Sequence, residues 1–323
     1  MNSGSGKVER AGALFRDAAR RAVLGLTDAE VEDLSQRVAL AFDALGGVAP
    51  SLDRITAGVI LRPSAELAAV LAARLRGLMG VGDVLPLFDL PSLLDERLGI
   101  PIFPVGHEKL NGGCAVIDGG AFIFVSDGDR NDALFSCAHE LGHLAAMYAR
   151  RVNEDGAVLD PAGGAEDSAK GPFEHFADVF AAELLIPARG LGLALGKVRA
   201  LAGVTRGSIG DIELLYLSRI FGVPFIAAAR RCERATLLPK GGATKLHRHL
   251  VERFGGPEQR AEELGLPPRV KSEFATLPRS VELAILKQAE VSRIAANQAA
   301  APAPRGRAAK AAVRRRLLYG SRN

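Results

Sequence analysis

His139, Glu140 and His143, in the run Cys137-Ala138-His139-Glu140-Leu141-Gly142-His143, are the side chains whose types and spacing most directly imply chemistry. Positions four apart share one face of a helix, so both imidazoles can point at a single metal ion. Glu140, turned about 100° from His139, stands beside the ion's open side, where a water would sit. A zinc ion so held lowers the pKa of its water toward ~7 and polarises a peptide carbonyl. Glu140 is then the general base that takes the water's proton and passes it to the leaving amine.

A catalytic zinc takes three protein ligands and keeps one position open, so the HExxH run leaves one ligand to be found. Downstream, Glu174-His175-Phe176-Ala177-Asp178 places two carboxylates four apart on one helix face. Glu174 and His175 are the rivals for the third position, about 100° apart around the helix. Asp178 is the natural acceptor for the free ring N–H of His139 or His143.

Other residues have plainer readings. His107 lies in a Gly/Lys loop, and His247 and His249 stand among cations. Cys137 reads as a small apolar residue. Tyr148 could donate to an oxyanion, but a core or surface role suits its position better. Gly142 permits either the close approach of a strand or substrate, or tight helix packing.

The elements around these residues follow from periodicity and turn chemistry. An arginine-bearing helix spans 11–24, after an irregular Gly/Ser-rich start at 1–8. Thr27 and Glu30 form a capping box for a helix to about residue 45. Ser64 opens another strong helix, and a short one over 93–98 ends at Gly99. Prolines in the extended run 100–105 argue for a sheet edge. Gly112-Gly113 reads as a turn, with strands over 114–117 and 121–125 joined at Asp118-Gly119-Gly120. The strand 121–125 is the expected edge for an extended substrate. Residues 129–132 cap the HExxH helix, which runs to about 151. An acidic, Gly-rich surface loop follows over 152–171, then a helix from Pro172 to Pro187. Helices over 211–221 and 224–234 form a helix-turn-helix-like pair, and more follow over 244–254, 259–264 and 281–297.

Composition bounds the class. The chain has 323 residues, 48% hydrophobic and 24% charged, with no Trp, so its cores are built from aliphatic side chains. A net charge of +4 does not argue for nucleic acid, because the Ala/Pro/Arg-rich tail from 299 supplies much of the positive excess. Three scattered cysteines form no CxxC pair. No apolar run is long enough to span a bilayer and the start lacks a signal-type apolar region, so a cytoplasmic protein without a membrane partner is expected.

The run 90–187 resembles the ImmA/IrrE family of bacterial metallopeptidases. It carries a helix ending in LGI, a strand-rich lead-in, LFSCAHELGH, and then EHFADVFAAELLIP. The resemblance implies Zn2+ held by His139, His143 and Glu174, with Glu140 as the catalytic glutamate. In the gluzincin arrangement it implies, Asp178 holds a ligand histidine. Asp178 stands where the family pattern has Asn, and Ile186 where it has Met. Met147 occupies a position at which many members carry a further histidine, and the 152–171 loop is longer than expected. Members of the family are similar in cutting a helix-turn-helix repressor, which implies a protein substrate that itself binds DNA and a place in a stress-response or mobile-element circuit.

The expected fold class is α+β and mostly helical. A zincin-like core carries a small three-stranded antiparallel or mixed sheet and the HExxH helix, flanked by helical regions. The organisation expected is a helical region 1–85, a metallopeptidase domain 86–200, a helical region 201–298 and a basic tail 299–323. The stretch RITAGVILRPSAELAAVLAARL resembles part of the helix-turn-helix domain of Xre-type repressors, although the distance from Thr27 to Pro63 favours a plain helical bundle. A DNA-binding regulator, or an antitoxin-like partner protein with a sensing or structural zincin domain, is therefore the alternative function. The largely apolar 224–229 segment counts against groove reading there.

Overall fold

Alternation of buried side chains builds the sheet at the centre of the fold. The structure, a computed structural model, describes residues 3–22, 25–45, 52–60, 62–106, 110–126, 132–150, 155–161, 171–201, 203, 207–272 and 274–300. Strand β1 (Ile102–Val105) pairs in parallel with β3 (Gly120–Ser126), and β2 (Leu110–Ile117) pairs antiparallel with β3 on its other side. Between β2 and β3, Asp118 (φ 48°) and Gly119 (φ 75°) form a two-residue turn of the kind that fits the sheet's twist. Strand β4 (Gly156–Pro161) adds antiparallel to β2, giving the order β1-β3-β2-β4.

Three expectations change here. The sheet is mixed but has four strands, not three, and its fourth comes from the stretch expected to be a surface loop. Ala157 and Leu159 alternate inward from β4, too few apolar positions to stand out among acidic and glycine neighbours. Gly112 and Gly113 lie inside β2 rather than in a turn. A Cβ on Gly113 would come within 2.6 Å of Leu159 Cδ2, so the missing side chain is what admits β4. Finally, β3 is interior and paired on both sides, so it offers no edge to a substrate. The edges are β1, where its prolines are tolerated, and β4.

Both sheet faces are covered. Helices α1 (Ser3–Arg21) and α2 (Asp28–Leu45) lie on the face that carries Phe122 and Phe124. Phe15 meets Phe124 edge-on at 5.4 Å between ring centroids, and Phe42 meets Phe122 at 5.2 Å. Thr27 N donates to Glu30 Oε2 at 2.6 Å, the reciprocal cap expected at the start of α2. The helix α1 begins well inside the stretch expected to be irregular, because Ala11, Phe15 and Ala18 are anchored in the interior.

On the opposite face, Ala121, Ile123 and Val125 pack into the larger core with the helix bearing the HExxH run, α6 (Ala133–Ala149), and with α7 (Pro172–Leu185). Helices α3 (Asp53–Thr56), α4 (Ala65–Leu78) and α5 (Leu90–Leu98) join the same core. Ser64 Oγ caps α4 by accepting from Leu67 N at 3.2 Å, and Arg76 Nη1 ties α4 to α7 through Leu184 O at 2.6 Å. Beyond α7 come α8 (Ala188–Leu201), α9 (Asp211–Phe221) and α10 (Phe225–Arg234), the last two meeting at 108° about Gly222. Next are α11 (Gly242–Phe254) and α12 (Pro257–Glu263).

The buried cluster runs from Leu52 to Ala261 and crosses positions 85 and 200 without interruption. Contacts divide the chain into two units, Met1–Val281 and Glu282–Asn323, and α13 (Arg279–Ala300) opens at the end of the first. Of the expected tail 299–323, residues 299 and 300 close α13, and 301–323 lie outside the described residues. Among the described residues, no single helix is long and apolar enough to cross a membrane.

Phe15 is fully buried against the sheet, so Phe15→Ala should lower stability by about 3–5 kcal/mol, the range for emptying an aromatic core position. Urea unfolding followed by circular dichroism checks this. A loss below about 1 kcal/mol would show that α1 does not form part of the folded core.

Candidate metal centre

Two helices build the site, and small residues bring them together. A Cβ placed on Gly142 of α6 would stand 2.9 Å from the Ala177 Cα of α7. Of the two readings open for Gly142, tight helix packing is the one observed. The contact sets the face of α7 that carries Glu174 and Asp178 opposite the face of α6 that carries His139 and His143.

The ligand atoms converge. His139 Nε2 and His143 Nε2 are 3.1 Å apart, and the Glu174 oxygens lie 3.4 Å from the first and 3.3 Å from the second. Donors about 2.0 Å from a tetrahedral ion stand roughly 3.3 Å from one another, and each of these distances, one imidazole to each oxygen of the carboxylate, is close to that. Among the described residues, His139, His143 and Glu174 are the group of three able to hold a metal.

Protonation agrees with the geometry. His139 Nδ1 lies 3.0 Å from Asp178 Oδ1, so the ring proton sits on Nδ1 and the Nε2 lone pair faces inward. Burial pushes the Glu174 carboxyl up, but the two imidazoles outweigh it and hold Glu174 well below the usual carboxylate range. An anionic oxygen and two imidazole nitrogens directed at one point suit a divalent cation. His175, by contrast, is not among the converging atoms and lines a neighbouring cleft with Glu233 and Thr244.

Glu140 is fully buried. A Cβ on Gly112 of β2 would lie 3.0 Å from Glu140 Oε1, so this glycine keeps open the space that the carboxylate occupies. That role was hidden in the sequence, where Gly112-Gly113 carries the same signal as a turn. Asp132 was expected within a capping region. Its side chain makes no cap hydrogen bond, and its Oδ1 instead accepts from Arg269 Nη2 at 2.7 Å; residues 129–131 lie outside the described ones.

The remaining candidates separate from the site. Cys137 is buried in the core, which pushes its thiol pKa up, with Glu140 adding to the shift. Tyr148 donates to Gly119 O at 3.0 Å, bracing the β2–β3 turn. His247 is on α11 beside Phe225, with 6.3 Å between ring centroids, and His107 lies outside the described residues.

A helix bearing two histidines, crossed by a second helix bearing a glutamate and backed by a small mixed sheet, defines a zincin-like metal centre. Residues 95–233 match the family model described as the IrrE N-terminal-like domain, Peptidase_M78. The match covers 139 of the 323 residues, so the chain carries a domain of the ImmA/IrrE family, which is of metallopeptidase type. No curated protein matches the sequence.

Purified protein should bind about one equivalent of divalent metal in equilibrium dialysis, with the ion retained in His175→Ala and lost in Glu174→Ala. Asp178→Asn should weaken affinity about 10–100-fold, the usual cost of removing the carboxylate that orients a ligand imidazole. Unchanged binding in Glu174→Ala would overturn this ligand set.

Proposed function

We propose that this protein is a zinc-dependent endopeptidase of the gluzincin type, with Glu140 as general base. The observation that carries this reading is the convergence of two imidazole nitrogens 3.1 Å apart with the Glu174 carboxylate, one oxygen 3.4 Å from His139 and the other 3.3 Å from His143. The presence of a buried carboxylate at Glu140, next in sequence to a ligand, extends it from binding to chemistry. A purely structural metal site has no use for such a group.

When bound, zinc would acidify a water and polarise the scissile carbonyl. The chain's own residues do the rest. His139, His143 and Glu174 hold the ion, and Asp178 fixes the orientation and tautomer of His139 through the 3.0 Å contact. Glu140 takes a proton at its carboxylate and releases it to the leaving amine. Strand β2 lies close against that carboxylate, since a Cβ on Gly112 would stand 3.0 Å from its Oε1.

The substrate we propose is a helix-turn-helix repressor, cut to relieve repression in a stress-response or mobile-element circuit. Support comes from the family alone, and the same resemblance motivates a cytoplasmic location. Cys114, Cys137 and Cys232 are buried and stand outside any disulfide, which suits that reducing compartment.

Direct DNA binding is less well supported by the fold. Helix α3 has four residues and buries Ile55 and Thr56. Helix α10 turns its apolar side inward and is tied to α7 through Arg231, which donates to Ile186 O at 3.0 Å and pairs with Glu183 at 2.9 Å. Helix α3 is too short to read a groove, and none of the ten residues of α10 is exposed.

Glu140→Gln should keep the metal and lose about 10²–10⁴-fold of the cleavage rate of a repressor encoded beside this protein. Incubation of the two purified proteins with zinc, read by mass spectrometry, measures it. Equal cleavage by Glu140→Gln and wild type would remove the general base from the account.

A further inference from the structure

Beside the metal centre lies a cleft of about 420 Å³, whose wall carries two guanidinium groups. Arg230 and Arg234 stand four apart on α10, so they share one face and line the cleft together with Asp178. Phe135 and Ile226 supply apolar surface, and Asn111 brings an amide from the start of β2. A second cleft of about 370 Å³ shares Asp178, Arg230 and Arg234, so the arginines stand where the two meet.

The acids around this wall are already engaged. Asp178 is held by His139 at 3.0 Å, and Asp132 by Arg269 at 2.7 Å. Glu233 accepts from Gly241 N at 2.7 Å and from Ala243 N at 3.0 Å. Glu183 pairs with Arg231 at 2.9 Å, leaving Arg234 Nε at 3.7 Å from its other oxygen, beyond hydrogen-bond reach. Among the described residues, Arg234 Nε and Nη2 have no hydrogen-bond partner. The side chain keeps 23% of its surface exposed and meets Glu183 only at 3.7 Å, so an anion in the cleft would give the guanidinium a closer partner. The planar fork of arginine suits a carboxylate, which can accept two parallel N–H bonds.

We infer that this cleft is a substrate subsite for a carboxylate, either an acidic side chain near the scissile bond or the peptide's own C-terminus, held by Arg230 and Arg234. The inference rests on the peptidase reading for its substrate class, but the binding it describes is measurable without turnover. Phe135 and Ile226 pack the aliphatic stem of an acidic residue while the guanidinium groups take its head.

The test uses three fluorescent nonapeptide pools with randomised neutral flanks, bound to full-length zinc-loaded Glu140→Gln protein and read by anisotropy. One pool has a central Glu and an amidated C-terminus. The second has a central Gln and the same amide, and the third has a central Gln and a free C-terminal carboxylate. We expect one carboxylate pool to bind about tenfold or more tightly than the amidated Gln pool, the usual scale for a charge-assisted pair. Which of the two does so identifies the source of the carboxylate. Arg234→Gln and Arg230→Gln should each remove the preference, and Arg234→Lys should keep part of it, which separates loss of charge from loss of fold. Arg230→Glu should reverse the preference toward a fourth pool, with central Lys and an amidated C-terminus.

Equal binding of all three pools, or a preference unchanged in both Gln variants, would overturn the subsite. Cleavage of the repressor by wild-type protein, measured separately, distinguishes the two claims. Preference without cleavage contradicts the peptidase reading and leaves the carboxylate site standing, whereas cleavage without preference does the reverse.

Discussion

The contact of Gly142 with Ala177 sets the distance between α6 and α7, and the metal centre depends on that distance. His139 lies three residues before Gly142, and Glu174 three before Ala177, so each ligand sits one helical turn from the point of closest approach. Any side chain at 142 would push a Cβ to 2.9 Å from the facing backbone and open the gap between carboxylate and imidazoles. The triangle of donor atoms tolerates little of this, because ligand distances at such an ion vary by only about 0.2 Å. A glycine with no chemistry of its own thus sets the precision of the chemistry beside it.

The rest of the fold holds this helix pair in place. Beneath α6, β2 and β3 present a flat apolar surface, and Gly112 leaves the hollow that receives Glu140. On the far side of the sheet, the phenylalanine contacts of α1 and α2 cover what would otherwise be an exposed aromatic face. Helix α4 presses on α7 from outside, with the buried Arg76 spanning to Leu184 O and to Gly82 O. Burying that guanidinium lowers its pKa, and its carbonyl partners are what make the burial tolerable. Helix α10 closes the other flank through Arg231, so α7 is braced from two flanks at its C-terminal end, beyond the stretch that carries Glu174 and Asp178.

Much of this was legible in the sequence because it is local. The i, i+4 spacing of His139 and His143, the same spacing of Glu174 and Asp178, and the capping box at Thr27 all follow from helical geometry alone. The structure's contribution is what depends on long-range packing. Whether Glu174 or His175 turns toward the imidazoles is decided by the rotation of α7 against α6, which neighbouring residues do not encode. The strand β4 was hidden because two inward side chains make too short an alternation to read. Gly112 and Gly113 misled for a related reason, since a pair of glycines looks the same whether it bends the chain or admits a neighbour. The arginines of α10 carry no local signal of a role, and only the fold places them against the cleft beside Asp178.

Metal coordination itself is the most direct test of the central claim. X-ray absorption at the zinc edge of the zinc-loaded protein should show a first shell of nitrogen and oxygen alone at about 2.0–2.1 Å, with the outer scattering of two imidazole rings. Substituting either His139 or His143 by alanine should remove one ring's contribution. A sulfur shell near 2.3 Å, or a shell lacking imidazole, would contradict the account.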